Sequence, residues 1–171
     1  MVDKKQATIY FKKFLRLLLN KKSLFFIIEA ILLPLIISIA FNANEVFEKY
    51  HITRTSSIMF ISAALWIGLF NSVTSICNER KVIKFEYQIK GLSLPSYVTA
   101  RVLTELVLCL IEAVLMMGTI VVLYPRVQGN GSQVFLFGIT LFLVMFTSDM
   151  LALLISAFVK KSFQAMTAMP L

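Results

Sequence analysis

Acidic side chains inside long apolar stretches are the residues of this sequence with the clearest capacity for chemistry. Glu29, Glu105, Glu112 and Asp149 all lie within or near such stretches. A charge at the centre of a bilayer costs about 3 kcal/mol on insertion scales, so these residues usually face the interior of a helix bundle. There a carboxyl group can be neutral, can bond to a neighbouring helix, or can line a path for a polar or cationic substrate.

Spacing separates these acids into two groups. Arg101 and Glu105 lie at i and i+4 on one helix, which favours a structural salt bridge for Glu105. Glu105 and Glu112 are seven residues apart and therefore share a helical face. Glu112 and Asp149 have no local partner, so both packing and a role in transport or proton exchange stay open for them.

The sequence has none of the usual catalytic patterns. His51 is the single histidine, which excludes a bis-histidine haem and a histidine-based metal site within this chain. There is no Ser/His pair, no cluster of metal ligands and no HExxH motif. There is also no Gly-x-x-x-x-Gly-Lys-Ser/Thr loop, so the chain cannot bind ATP by that mechanism. We therefore predict no catalytic residue, no metal and no cofactor in this chain.

Composition identifies the class of protein. Of 171 residues, 58% are hydrophobic and only 15% are charged, whereas soluble domains have about 25% charged residues. We predict an all-α integral membrane protein that lies in the lipid bilayer. The net charge of +8 is concentrated in the segments predicted to be cytoplasmic, so it reflects topology and does not require a nucleic-acid partner.

Four apolar stretches are long enough to cross about 30 Å of hydrocarbon. They are residues 23–41, 56–77, 97–124 and 133–158. The residues after Lys161 would begin a fifth span. Basic residues cluster before residue 23, in the segment between the second and third spans, and at Lys160–Lys161, which predicts a cytoplasmic N-terminus.

Residues 1–22 have the pattern of an amphipathic helix along the cytoplasmic leaflet. One side carries Lys5, Lys12, Lys13 and Arg16, and the other carries Tyr10, Phe11, Phe14, Leu17 and Leu18. Such a helix serves either as a simple anchor attracted to anionic lipid or as a lever that connects the membrane part to a soluble partner. Residues 1–22 and 23–171 are the two predicted regions.

The segment between the second and third spans is too polar to lie in lipid. Residues 79–91 predict a short cytoplasmic helix, with Gly91 as its C-terminal cap. Its apolar side would carry Val82, Phe85, Glu86 and Ile89, and the opposite side Arg80, Lys81, Lys84 and Gln88. The segment is either a basic loop on lipid headgroups or a docking element. The acid beside Phe85 favours docking, because headgroups would repel it.

A motif in this region resembles a known family. It consists of Asn78-Glu79-Arg80, Glu86, Gly91, Ser96-Tyr97, and the run from Ala100 to Leu106. The motif is similar to that of the membrane domains of ABC type-2 exporters, closest to the G-subfamily-like branch. The N-terminal helix resembles the connecting helix of that family, and residues 79–91 resemble its first coupling helix.

The resemblance implies a six-span fold, a dimer with a second membrane subunit, and a cytoplasmic ABC ATPase that holds ATP and Mg. It implies that Glu79, Arg80 and Glu86, with Phe85, couple the membrane helices to the ATPase, and that Tyr97 begins the third span. The chain departs from the family in having four complete spans, as if truncated after the fourth, and no ATPase. Either the ATPase is a separate subunit or domain, or the sequence is a partial gene product.

Three functions follow from these observations. The first is the permease component of an ATP-driven exporter in the plasma (inner) membrane. The second is a proton-coupled secondary carrier that uses Glu112 and Asp149 as titrating groups. The third is a membrane scaffold or regulatory subunit that does not itself transport. The apolar spans select no particular substrate.

Overall fold

A computed structural model of the chain describes residues 3–18, 21–40, 50–124, 131–159 and 162–168. All regular structure in these ranges is helical, which confirms the predicted all-α class. The helices are α1 (Lys4–Leu18), α2 (Lys21–Ala40), α3 (Tyr50–Ser72), α4 (Ser75–Lys90), α5 (Leu94–Leu123), α6 (Gly131–Phe158) and α7 (Ser162–Ala168).

Three helical stretches in the described ranges are long and apolar enough to cross a membrane. They are Ile52–Ile89, which comprises α3 and α4, Leu94–Leu123 and Gly131–Phe158. The stretch Leu94–Leu123 begins three residues before the predicted span 97–124, and Gly131–Phe158 begins two residues before the predicted span 133–158. The chain is therefore an integral membrane protein.

The predicted count of four complete spans and the start of a fifth is not supported by the described residues. In α2, the apolar part with described side chains is Ile28–Ala40, which is shorter than a span. The predicted fifth span corresponds to α7, which has 7 residues. The predicted external segments 42–55 and 125–132 fall largely outside the described residues, and the basic pair 160–161 falls entirely outside them.

The predicted span 56–77 is divided in the structure. Helix α3 has 23 residues, which at 1.5 Å per residue is about 35 Å and enough for the hydrocarbon core. It ends at Ser72, and a turn at Val73–Thr74 leads into α4. Helix α4 is therefore not needed to cross the membrane and is free to extend beyond it.

Helices α3 and α6 have the most extensive contact of any two helices in the described ranges, and Gly68 allows them to approach each other. A Cβ atom at Gly68 would overlap both the Ser148 side chain and the Met145 carbonyl oxygen. Small residues at such crossings let two membrane helices approach and pack well. Around this crossing lies the main apolar core, which includes Phe60, Met116 and Tyr124.

Helix α1 packs against the N-terminal part of α5. Phe14 is buried with Leu92, Tyr97 and Ala100, and Tyr10 and Phe11 flank this cluster. The side of α1 that is buried is therefore narrower than the apolar side predicted from the sequence. Leu17, predicted to lie on it, is 46% exposed, because the stripe centred on Tyr10 and Phe14 is the one that contacts α5.

Candidate functional site

Helix α4 occupies the position of the predicted cytoplasmic helix, with different ends. It runs from Ser75 to Lys90, whereas residues 79–91 were predicted. Gly91 ends it in the left-handed conformation, with φ of 63°, where a side chain would be strained. The amide of Leu92 donates a hydrogen bond to the Glu86 carbonyl oxygen, which closes the cap.

One face of α4 is attached to three other helices through its charged residues. Glu79 accepts a 2.7 Å hydrogen bond from the Tyr97 hydroxyl of α5. Glu86 accepts a 2.7 Å hydrogen bond from the Tyr10 hydroxyl of α1. Arg80 donates to the carbonyl oxygen of Ala157 in α6 at 2.6 Å. These three residues therefore hold α4 in place against the rest of the molecule.

Lys13 and Ile83 complete this attachment. The Lys13 ammonium lies 3.7 Å from Glu86 and 5.5 Å from the centre of the Tyr10 ring. Ile83 packs against the apolar cluster around Phe14. Since Glu79, Ile83 and Glu86 recur at helical spacing, they form the face of α4 that packs against α1 and α5.

The apolar stripe of α4 faces away from the protein, contrary to part of the predicted pattern. Val82, Phe85 and Ile89 are exposed, whereas Glu86, which was placed with them, is turned towards α1. Arg80, predicted to point away, contacts α6. The physical reason is that Tyr10, Lys13 and Tyr97 provide donors on one side only, and the two carboxylates of α4 set its rotation by bonding to them.

The ion pair between Arg101 and Glu105 is present in α5 at 2.7 Å. Glu105 is almost fully buried. The Arg101 guanidinium also lies 5.1 Å from the centre of the Phe14 ring, so it is stabilised by the ring as well as by the carboxylate. The i, i+4 pair expected from the spacing is therefore present, and a structural role for Glu105 stays a prediction.

Glu112 and Asp149 are completely buried between α3, α5 and α6. The Asn71 amide donates a 2.8 Å hydrogen bond to one oxygen of Glu112. The other Glu112 oxygen and both Asp149 oxygens have no hydrogen-bond partner among the described residues. The Ser72 hydroxyl is near both Glu105 and Asp149, and the Cys109 thiol is near Asp149, so donors to these carboxyl groups are close by although no bond of good geometry is formed.

The sequence did not predict Asn71 and Ser72 as neighbours of the buried acids. It also did not predict that the hydroxyls of Tyr10 and Tyr97 would bond to Glu86 and Glu79. An asparagine among apolar residues of a span was an available signal, because an amide in lipid needs a hydrogen-bond partner. No comparable signal marked Tyr10 or Tyr97, since a tyrosine at a membrane interface needs no partner in the protein.

Glu29, on α2, is less buried than Glu112 and Asp149. It is half-buried on α2 and has no ion pair or hydrogen bond to another described residue. It lines a groove of about 410 Å³ with Trp66 and Phe70, whose rings stack 5.5 Å apart. Among the described residues, no three His, Cys, Asp or Glu side chains are arranged to hold a metal ion.

Comparison with known proteins identifies the family. The family model described as ABC-2 type transporter matches residues 5–171. No curated protein and no solved structure matches the chain. Since the family model covers more than half of the sequence, the protein belongs to the ABC-2 type transporter family, as the motif between Asn78 and Leu106 predicted.

Proposed function

We propose that the chain is the membrane-spanning permease component of an ATP-driven exporter. ATP and Mg are bound by a separate ABC ATPase subunit or domain, and hydrolysis there moves substrate through the membrane helices. The N-terminus is cytoplasmic, the membrane is the plasma (inner) membrane, and the chain pairs with a second membrane subunit. Membership of the ABC-2 type transporter family supports this proposal.

The topology that we propose includes α2 as a further crossing. Helix α2 has 20 residues, which is about 30 Å and the thickness of the hydrocarbon core. With α2 and α3 both crossing, α1 and α4 lie on the same side of the membrane. The contact between Tyr10 and Glu86 supports this arrangement, because it requires these two helices to meet.

The observation that carries the proposal is the division of α4 into an attached face and an exposed apolar stripe. Glu79, Arg80 and Glu86 hold the helix on three neighbours. Exposed apolar residues at i, i+3 and i+7 are the pattern by which a helix docks in a groove of a protein partner. A helix attached in this way transmits a push on its stripe to α1, α5 and α6.

Coupling residues therefore act in two ways in this proposal. Phe85, at the centre of the stripe, contacts the ATPase. Glu79, Arg80 and Glu86 position the helix and pass its movement to the membrane helices. Lys81 and Lys84, exposed beside the stripe, would meet acidic residues of the partner.

A pair of matched variants tests this. Phe85 and Tyr87 are equally exposed, at 56% and 55%, but Tyr87 lies outside the stripe. We expect Phe85→Asp to abolish co-purification with the ATPase encoded for this transporter and to remove its substrate-stimulated ATP hydrolysis. Tyr87→Asp should leave both within about twofold. Equal effects of the two variants, or none from Phe85→Asp, would exclude the stripe as the docking surface.

A proton-coupled secondary carrier is a second candidate, favoured by one observation. Glu112 and Asp149 are fully buried with carboxyl oxygens that have no partner among the described residues, which is the condition of proton-relay acids in carriers. Uptake or efflux that continues in ATP-depleted vesicles under a proton gradient, and stops in Glu112→Gln or Asp149→Asn, would establish the carrier. Strict dependence on ATP would exclude it.

A further inference from the structure

A groove lies on the face of α1 that points away from α5. It has a volume of about 490 Å³ and is lined by five residues of α1: Ile9, Lys12, Lys13, Arg16 and Leu17. These positions are i, i+3, i+4, i+7 and i+8, so they form one continuous helical face. The opposite face is fixed by Phe14, which is buried against α5.

The lining of this groove combines positive charge with apolar side chains. Its lining contains three cations and no acid, and its two ends are apolar side chains, Ile9 at 65% and Leu17 at 46% exposure. A soluble anion would use only the cations and leave both apolar residues in water. A phospholipid with a net negative headgroup would use both, through its phosphate and its acyl chains.

The position of α1 along the chain agrees with a lipid ligand. Helix α1 ends at Leu18 and α2 begins at Lys21, and α2 continues as an apolar helix. With α2 crossing the membrane, as in the proposed topology on which this inference rests, the C-terminal half of α1, with Arg16 and Leu17, lies close to the level at which the chain enters the membrane. That is the depth of the lipid headgroups.

We infer that this groove binds the headgroup of an anionic phospholipid. Lys12 and Arg16 contact the phosphate, and Ile9 and Leu17 contact the glycerol and the upper acyl chains. Lys13 lies on the border of the groove and also faces Glu86 of α4 at 3.7 Å. A bound headgroup thus lies one side chain away from α4.

Binding of fluorescent phosphatidylglycerol to the purified chain in neutral detergent tests the inference, with phosphatidylcholine as the reference lipid. The test variant is the double substitution K12Q/R16Q, and the control is K4Q/K5Q. Both remove two exposed positive charges from α1, but only the first lies in the groove. Each basic residue at an anionic membrane surface changes the affinity by a factor of about 5 to 6, so the loss of two in K12Q/R16Q should weaken phosphatidylglycerol binding about thirtyfold.

The control variant should bind phosphatidylglycerol within about twofold of the wild type. An excess of glycerol 3-phosphate should not displace the lipid, and Ile9→Ser should weaken lipid binding while all charges remain. Equal losses in the two double variants would mean general charge attraction and would overturn the inference. No preference over phosphatidylcholine, or displacement by glycerol 3-phosphate, would overturn it as well.

Discussion

The hydroxyl of Tyr97 lies 2.7 Å from a carboxylate oxygen of Glu79 and joins the start of α5 to α4. Tyr97 is itself buried, at 4% exposure, in edge-to-face contact with Phe14 of α1 at 5.5 Å between ring centres. A single side chain therefore connects three helices. Movement of α4 cannot be independent of α5 while this bond is intact.

Replacing Tyr97 with phenylalanine should uncouple α4 with little change in packing. The ring stays in place, but Glu79 loses the donor, and hydrogen bonds to charged groups contribute about 1.5 kcal/mol or more. We expect a lower melting temperature in detergent and a reduced stimulation of the partner ATPase by substrate. Tyr87→Phe, in α4, removes the hydroxyl of an exposed tyrosine and should change neither quantity. An unchanged stimulation in Tyr97→Phe would show that this bond does not transmit movement.

Gly68→Ala should destabilise the helix bundle. The added methyl group would overlap the Met145 carbonyl oxygen as well as the Ser148 side chain, and a backbone atom cannot rotate away. Overpacking of this kind costs about 1–3 kcal/mol, which thermal unfolding in detergent would detect. The matched control is Gly118→Ala in α5, where nothing lies within 4 Å of an added Cβ. If both variants unfold at the wild-type temperature, α3 and α6 are further apart than described.

Local relationships in this molecule could be predicted from the sequence, whereas relationships between helices could not. The Arg101–Glu105 pair follows from a spacing of four residues on one helix. The Tyr10–Glu86 bond joins residues 76 positions apart, and no periodicity specifies which helices meet. The pattern grouped Val82, Phe85 and Ile89, which are all exposed on α4, but it could not show that Glu86 turns to a donor on α1.

The same distinction applies to the spans. Hydropathy locates apolar segments to within a few residues, as it does for α5 and α6. It could not locate the turn at Val73–Thr74, because apolar character continues through Ile76 and Cys77 into α4. Gly68 could be noted in advance as a small residue in a span, but its partner Met145 is set by how α3 and α6 pack.

Tyr10 should titrate at a higher pH than a free tyrosine. Its pKa is raised from 10.0 to about 12, first by burial and then by the hydrogen bond to Glu86. Since the folded protein favours the neutral phenol, this contribution to stability is complete below pH 10 and is lost as the pH rises through about 12. The test is to titrate the wild type and Tyr10→Phe while following the ultraviolet absorbance of tyrosine. The difference between the two curves is the titration of Tyr10.

Glu86→Gln is the control for the cause of that shift. It should lower the pKa of Tyr10 while leaving it above 10.0, because burial is the larger cause and remains. An unchanged titration in Glu86→Gln would mean that the two side chains do not meet in solution. In that case the attachment of α1 to α4 would rest on the packing of Ile83 beside Phe14 and on the contact between Lys13 and Glu86.

Two changes near the buried acids should have opposite effects on the melting temperature. One removes the hydrogen-bond partner of Glu112, and the other removes the carboxyl group of Asp149. Asn71→Ala leaves Glu112 without the 2.8 Å hydrogen bond from the amide, and an unsatisfied buried acceptor costs about 1–3 kcal/mol. We expect a clear fall in melting temperature. Asp149→Asn removes a carboxyl group whose two oxygens have no partner among the described residues, so the melting temperature should stay constant or rise.

Transport measured on these two variants then separates structure from mechanism. If Asp149 only fills space between α3, α5 and α6, Asp149→Asn transports at the wild-type rate and Asn71→Ala loses activity in proportion to its stability. If Asp149 lines the path of a cationic substrate or carries a proton, Asp149→Asn is inactive although it is at least as stable as the wild type. A destabilised and inactive Asp149→Asn would contradict both, because it would show that the carboxylate is bonded in the folded protein, with Ser72 and Cys109 as the nearby donors.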